Sequence, residues 1–475
     1  MGRAVVDFLG GVMYNSNVYS RNEGGGGLHL LTKFRNTVLF FLKCLVIATV
    51  TTSFLGVWQN YYTDSLFGGF GNYLVVLTYI VIFVTFATVY DGFKVGIMRV
   101  HELSFGMGLA AFFNNALMYV ILSLIARRMF NPLPLLFLTA AQVIILILLM
   151  YSLSRVYFAL YKARRVLAVF DSNSRNDIIK KISIIKERFA LAKGVTVDRG
   201  FDEIKREIDK FDTVLICDFD PQLKDEVLKY CYSENKRIYL LPSSGDTILN
   251  GSYQVQVFDT PVLFLHNGGL SMEQRIIKRV FDIVASSVGI IISGPIMILI
   301  ALAIKLTDRG PVFFKQPRVT RDQKIFNIYK FRSMKVQTDD EVKKTTVDDD
   351  RITAVGKIIR PFRLDELPQL FNILFGDMSV VGPRPEMVEL VNDYAAQLPE
   401  FNLRHKVKAG LTGYAQIYGK YNTTPQNKLN MDIHYIEHYS FLEDIKLCAM
   451  TLKILFVRES TEGFSEKDSK LKNNK

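Results

Sequence analysis

Four apolar runs, at 38–57, 73–89, 107–125 and 133–153, constrain this chain more than any other feature. Each approaches the roughly 20 residues a helix needs to cross a hydrocarbon core. A spanning backbone in lipid must satisfy its own N–H and C=O groups, so each run predicts a transmembrane helix. Lys43 and Asn114 lie inside these runs and are expected to snorkel or to face neighbouring helices. Lys33 and Arg35 precede the first run, Lys94 and Arg99 separate the second from the third, and Arg155, Lys162, Arg164 and Arg165 follow the fourth. No basic residue occurs at 59–69, so the positive-inside rule places both ends of the bundle in the cytoplasm. Arg127 and Arg128, between the third and fourth runs, are the exceptions.

Charge narrows the partners. The chain has 475 residues and a formal net charge of +12, with mean hydropathy +0.18. That balance suits anionic partners such as lipid head groups or phosphorylated substrates. A single Trp and the lack of basic-aromatic interleaving argue against nucleic acid. Cys44, Cys217, Cys231 and Cys448 fall at no metal or redox spacing and are expected to be free thiols.

Beyond residue 165 the pattern becomes soluble. Strands are expected at 166–170, 213–219 and 237–242, separated by charged amphipathic helices at 177–188, 201–211 and 222–232. Such alternation suggests a small parallel α/β unit. Its first strand runs into Asp171-Ser172-Asn173-Ser174 rather than a glycine-rich turn, so a structural or regulatory role is expected rather than nucleotide binding.

A fifth apolar stretch, 283–304, follows an amphipathic lead-in at 271–278. It is long enough to cross a bilayer, but Gly294-Pro295 interrupts it, and proline removes a donor and kinks a helix. Lys278 and Arg279 precede it, and Lys305, Arg309, Lys315 and Arg318 follow. Positive charge at both ends suits a re-entrant helix whose ends stay on one side; the alternative is an ordinary kinked spanning helix, which would place everything after Lys305 outside.

The densest chemistry lies further on. Asp365-Glu366 follows Arg360 and Arg363, and Leu367, Leu370, Phe371, Leu374 and Phe375 then recur at helical spacing until Gly376. The spacing predicts a helix beginning near Asp365, whose N-terminus would favour an ionised carboxylate and phosphorylated ligands. Arg384 sits between Pro383 and Pro385, and Lys330 and Arg332 end an alternating strand at 326–331. Arginine forks match phosphate oxygens. Adjacent acids among such cations suggest phosphoryl chemistry, with Asp365 and Glu366 as candidate ligands of Mg²⁺.

Several ordered motifs go together. They are Lys278-Arg279-x-x-Asp282 with its broken apolar helix at Gly294 and Pro295, Gly310-Pro311-Val312-Phe313-Phe314, Lys330-Phe331-Arg332-Ser333-Met334, and Arg351-Ile352-Thr353. Leu364-Asp365-Glu366-Leu367-Pro368-Gln369, Gly376 through Pro385, Gly410-Leu411-Thr412-Gly413, and Asp432 with Tyr435 follow. In order and spacing, residues 275–456 resemble the bacterial sugar transferases, polyprenyl-phosphate hexose-1-phosphate transferases of the re-entrant-helix type. The preceding spans and α/β unit look like the long form of that family. The chain departs from the pattern at Gly294, Thr320, Gln323, Ala354 and Ala409.

The resemblance implies a membrane α-helical bundle, a small Rossmann-like α/β domain and an α+β catalytic domain with a re-entrant membrane helix. The expected boundaries are a flexible leader at 1–30, four transmembrane helices at 31–160 and the α/β domain at 161–265. The catalytic domain is expected at 271–460, with its re-entrant helix at 279–305, and a disordered tail at 461–475. The implied reaction moves a hexose-1-phosphate from a UDP-sugar to undecaprenyl phosphate and starts exopolysaccharide, capsule or O-antigen-type glycan synthesis. Asp365 would be the nucleophile, carrying a covalent phosphosugar as UMP leaves, and Glu366 would assist. Arg360, Arg384, Arg332, Lys330 and Arg351 would bind substrate phosphates, and Mg²⁺ would be held by Asp365 and Glu366. The expected setting is the bacterial inner membrane, multi-pass, with the catalytic domain cytoplasmic and self-association into a homo-oligomer possible. The rival readings are a membrane glycosyltransferase that releases UDP and a non-catalytic scaffold of a polysaccharide export system.

Overall fold

A computed structural model describes residues 35–62, 70–161, 163–171, 189–265, 268–308, 310–334, 351–419 and 423–456. The leader at 1–30, the turn at 172–174, the expected helix at 177–188 and the tail at 461–475 lie outside the described residues. Contacts divide the chain after Leu241 into two compact units.

The first unit opens with α1 (Arg35–Tyr61), α2 (Phe70–Val89), α3 (Val100–Ala126) and α4 (Leu133–Leu160). All four are long and apolar enough to cross a membrane, and each is longer than its apolar run. A buried polar knot joins them. Gln142 of α4 donates to Ser53 Oγ of α1 (2.8 Å) and to the Tyr79 hydroxyl of α2 (3.0 Å), and its Oε1 accepts from Asn115 of α3 (2.8 Å). The Tyr79 ring stacks on Phe54, with centroids 3.9 Å apart. Lipid tails give apolar side chains no preference for a neighbouring helix, so such bonds contribute to the bundle's register. Asn114 is fully enclosed among the helices, and Lys43 Nζ lies 5.9 Å from the centre of the Phe93 ring.

The same unit continues as β1 (Arg164–Phe170), β2 (Phe189–Thr196), α5 (Phe201–Ile208), β3 (Thr213–Ile216), α6 (Pro221–Ser233) and β4 (Arg237–Leu240). The strands form one parallel sheet in the order β2-β1-β3-β4. Strand alternation sends Leu167, Val169, Val214 and Ile216 to one face, where they bury Ile204, Ile208 and Val227 of the two helices. Val166, Ala168 and Leu215 pack on the other face with Phe189. Asp220 caps α6 by accepting from the N–H groups of Gln222 and Leu223, with Pro221 in the first helical position. Strand β2 was not legible in the sequence: it is an edge strand with Ala, Lys and Gly, half of it exposed. All four cysteines are free thiols, Cys217 and Cys231 buried, Cys44 and Cys448 half-buried.

The second unit begins with α7 (Ser244–Leu249) and the hairpin of β5 (Tyr253–Val257) and β6 (Thr260–Phe264). The contact boundary at Leu241 therefore falls inside the 161–265 segment. The reason is α7, which packs on a later helix of the same unit through Gln426 and Ser244, 2.7 Å apart.

Next comes α8 (Met272–Asp308), an uninterrupted helix that contains Pro295. The remaining elements are β7 (Phe313–Val319) and β8 (Ile325–Phe331), α9 (Ala354–Ile359), α10 (Gln369–Phe375), β9 (Ser379–Val381), α11 (Val388–Gln397), β10 (Gly410–Thr412), α12 (Tyr414–Tyr418), α13 (Pro425–Glu437) and α14 (Phe441–Phe456). Strands β7 and β8 pair antiparallel, and β9 pairs parallel with β10.

One face of α8 is seated on this unit along most of its length. Lys278, Asp282 and Ser286 are buried near its start. Met297, Ile300 and Ile304 are buried near its end, in one core with Phe331 and Ile359. The Lys278-Arg279-x-x-Asp282 motif makes the attachment. Lys278 Nζ pairs with Asp444 at 2.6 Å, both enclosed, and Tyr435 donates to the same carboxylate at 2.8 Å. Arg279 donates to the carbonyls of Ile373 and Leu374 at the open end of α10, and Asp282 accepts from Ser379 Oγ and Val380 N–H, both at 2.9 Å. The opposite face stays exposed and apolar: Val284, Val288, Ile291, Ile298, Leu302 and Leu306.

Removing one partner of a buried ion pair strands the other charge and costs about 3–5 kcal/mol, whereas replacing both by apolar residues is often near neutral. Lys278→Met is therefore expected to lower the unfolding midpoint sharply in detergent, and Lys278→Met with Asp444→Leu to recover most of it. A single variant as stable as the parent would remove Lys278 from this anchoring role.

Candidate active site

The segment 363–370 departs from the expected helix start. Leu364–Glu366 is a single 3₁₀ turn, and α10 begins only at Gln369. Pro368 has no N–H and so cannot bond back to Leu364, and i→i−3 bonds take over: Glu366 N to Arg363 O, Leu367 N to Leu364 O, Phe371 N to Pro368 O. Arg363 enters the turn with φ 52°, a left-handed backbone that non-glycine residues rarely adopt. The helix ends where the sequence indicated, on Gly376 at φ 96°, with the Gly376 and Asp377 N–H groups on Asn372 O.

Asn372 ties this helix to β8. Its Oδ1 accepts from Tyr329 N at 2.9 Å and its Nδ2 donates to Asn327 O at 2.8 Å, while the residue is wholly enclosed. Lys330, one residue further along β8, thereby faces the dyad.

Glu366 is the hub. Its Oε1 takes Lys330 Nζ at 2.9 Å and Arg384 Nη2 at 3.2 Å. Burial pushes its carboxyl up, but the charges of Lys330 and Arg384 outweigh burial and hold it well below the ordinary carboxylate range. Asp365 moves the other way: burial, then the neighbouring Glu366 charge, raises it above its ordinary value, against the pull of Lys330 and Arg360. Two adjacent carboxylates thus differ in kind, one neutralised by cations and one with charge still to share.

A second network holds Arg384 in place. Arg404, fully buried, donates to Arg384 O at 2.9 Å and pairs with Asp432 at 2.8 Å, and Lys428 pairs with Glu386 at 3.2 Å. Across the loop, Gly382 N–H bonds Thr412 O and Gly410 N–H bonds Pro383 O, both at 2.8 Å. The two backbones approach so closely that a Cβ on Gly410 would fall on the Gly382 nitrogen. That close approach is the physical reason for glycines in both motifs.

A narrow polar cleft of about 20 Å³ opens beside the hub, lined among others by Arg318, Lys330, Glu366, Gln369, Arg384 and Gln416. A second cavity, of about 190 Å³, shares Glu366 and Gln416 but is mainly apolar, with Leu364, Leu367, Leu370, Leu411 and Ile417 in its wall. Of the expected phosphate ligands, Lys330 and Arg384 meet at Glu366, and Arg360 lies near enough to act on Asp365. Arg332 is buried with its guanidinium against Gly310, and neither it nor Arg351 lines either cavity. Gly294 and Pro295 lie within α8.

Arg318, Gln416 and Arg404 were not singled out as site residues in the sequence. Arg318 reads there only as a charge flanking an apolar stretch, and nothing in spacing links Arg404 to Arg384, twenty positions away. Among the described residues, no group of three or more His, Cys, Asp or Glu is placed to hold a metal. The dyad alone suits an ion that takes one or two carboxylates and completes its shell from substrate phosphates and water.

The fold and cleft define a domain seated on one long apolar helix, with Asp365, in no ion pair among the described residues, beside the cation-held Glu366. Residues 273–458 match the model of the bacterial sugar transferase family. The chain is 39% identical over 255 residues to a UDP-glucose:undecaprenyl-phosphate glucose-1-phosphate transferase of Klebsiella pneumoniae, covering 52% of this chain and 53% of that protein. It is 37% identical to a protein of the same description from Caulobacter vibrioides, covering 42% of this chain and 78% of that one. It is also 37% identical to an exopolysaccharide production protein of Rhizobium leguminosarum bv. phaseoli, covering 40% and 97%. The chain thus spans about half the length of its longer relatives, 53% of the Klebsiella protein, and nearly all of a short one, 97% of the Rhizobium protein. It belongs to the bacterial sugar transferase family.

Asn372→Ala would leave the Tyr329 N–H without an acceptor inside the unit, at a cost of about 1–3 kcal/mol. The expected result is a lowered unfolding midpoint. Asn372→Asp, which keeps the acceptor, should lose less at a pH where it is protonated.

Proposed function

We propose that this protein transfers a hexose-1-phosphate from a UDP-sugar to undecaprenyl phosphate through a covalent intermediate on Asp365. One observation carries the reading: Asp365 and Glu366 are adjacent but electrostatically opposite, with Glu366 neutralised by Lys330 and Arg384. A nucleophile must keep a carboxylate oxygen for the incoming phosphorus, and Asp365, in no ion pair among the described residues, is the one of the two that does. The names of the relatives, which include transferases of glucose-1-phosphate to undecaprenyl phosphate, support the substrate class.

In the first step an Asp365 carboxylate oxygen bonds to the sugar-bearing phosphorus, and the bridging oxygen leaves with UMP. In the second, the undecaprenyl phosphate oxygen bonds to the same phosphorus and the Asp365 carboxylate leaves. The product is a lipid diphosphosugar, and no proton is consumed overall. Arg384 and Lys330 would orient phosphate oxygens beside the hub, and Arg360 would steady the charge at Asp365. Glu366 would hold these cations in register between the two steps. Asp365 and Glu366 would also hold Mg²⁺. When bound, that ion would spread the charge of the donor diphosphate. The apolar cavity that shares Glu366 suits the isoprenoid end of the acceptor, which must bring its phosphate to the same carboxylates.

The seat of α8 supports a one-sided attachment. A polar domain covers one face of the helix from Lys278 to Ile304, and such a domain cannot lie in hydrocarbon. Helix and domain then belong to one side of the bilayer, with the catalytic domain on the cytoplasmic side of the inner membrane, where UDP-sugars are.

Asp365→Asn is expected to reduce sugar-phosphate transfer by about 10⁴-fold or more, with UDP-glucose and UDP-galactose tested as donors. Labelled sugar-phosphate should become attached to the parent protein and not to this variant. Release of UDP instead of UMP would favour an ordinary glycosyltransferase, and transfer unaffected by the substitution would favour a scaffold. Because burial raises Asp365, its ionised fraction is lost on acidification at a pH above that of an ordinary aspartate. The rate should therefore fall on the acid side earlier than for a free carboxylate, as a kcat/KM profile would record. Chelation of divalent ions should abolish turnover, and added Mg²⁺ should restore it.

A further inference from the structure

A third cavity of this unit shares no residue with either cavity at Glu366. It measures about 210 Å³ and lies at the start of α8. Its wall holds six cations, Arg275, Lys278, Arg279, Arg321, Lys406 and Lys408, and one carboxylate, Asp282. Only part of this charge is cancelled locally. Lys278 is paired with Asp444 and Arg321 with Asp322, but Arg279 and Lys408 donate to backbone carbonyls of α10's last turn and Gly376. Arg275 and Lys406 pair with no carboxylate among the described residues. Asp282 already accepts from Ser379 and Val380. Burial, then the charges of Arg279 and Arg321, presses Lys408 below its ordinary range, and Asp282 and Asp377 offset this only in part.

The chemistry that relieves such a cluster is a phosphate. The neighbours argue for lipid. Ile276, Ile277 and Val280, on the same helix, are 58%, 51% and 58% exposed and continue into its apolar outer face. Polar heads and apolar tails would meet at this edge.

We infer that the cavity formed by Arg275, Arg279, Lys406 and Lys408 binds the phosphodiester head group of an anionic bilayer lipid, a site separate from the transfer chemistry. It rests on the apolar face of α8 lying in lipid and not on Asp365 acting as nucleophile.

The test uses the full chain in neutral detergent, without donor or acceptor. Dioctanoyl phosphatidylglycerol, dioctanoyl phosphatidylcholine and inorganic phosphate are titrated separately while the unfolding midpoint is followed, with native mass spectrometry counting retained lipid. Phosphatidylglycerol should raise the midpoint saturably and phosphatidylcholine should not. Arg275→Gln with Lys406→Gln, two partly exposed positions outside the dyad, should weaken that response roughly 30-fold. The double variant should keep its midpoint in the absence of lipid and its transfer rate. An unchanged response in the double variant would overturn the site. Inorganic phosphate matching the lipid would overturn the lipid assignment in favour of a free-phosphate site. A double variant that unfolds early would be replaced by Lys406→Gln alone, for which a response equal to the parent's would likewise overturn the site.

Discussion

The catalytic unit depends on how one long helix is fastened to it. One face of α8 must suit lipid and the other a polar domain, so apolar packing alone would leave its seating underdetermined. The buried Lys278–Asp444 pair, with Tyr435 completing the carboxylate's shell, supplies the directional contact. Arg279 then closes the open end of α10, and Asp282 closes the start of β9. These two elements flank the dyad and the Arg384 loop, so α8 and the acid pair share one framework.

The second organising feature is the division of labour between neighbouring carboxylates. Glu366 is the cation-held one: Lys330 and Arg384 converge on one of its oxygens, the first from a strand and the second from a loop. Asp365, one residue away, is set in a 3₁₀ turn that Pro368 prevents from becoming a helix. The tight turn, entered through a left-handed Arg363, is a local strain of the sort found at reacting centres. Arg404 and Asp432 fix Arg384 from behind and so extend the same electrostatic frame inward.

Much of this organisation was legible in the sequence. The four apolar runs are helices α1 to α4, because a segment in lipid has few other ways to satisfy its backbone. The strands near 166, 213 and 237 form a parallel sheet, and β8 and the stop at Gly376 lie where alternation and glycine chemistry put them. Less legible were the edge strand β2, with too few β-formers to stand out, and the true start of α10. There an apolar pattern running from Leu367 concealed a proline that shifts the first helical hydrogen bond. The exclusion of Arg332 and Arg351 from both cavities was equally invisible, since strand alternation says which face a residue takes but not what covers that face.

Order along the chain, apolar period and motif spacing were enough to establish five lipid-compatible helices, the family, and the acid pair at its centre. These are properties of neighbours within a few residues, where backbone geometry alone sets the distances. Which cation meets which carboxylate was settled by folding. Lys330 reaches Glu366 across 36 positions, Arg384 across 18, and Lys278 reaches Asp444 across 166. Charge has no period, and an ion pair forms only where packing of the intervening elements happens to bring two side chains within a few ångströms and exclude water from between them.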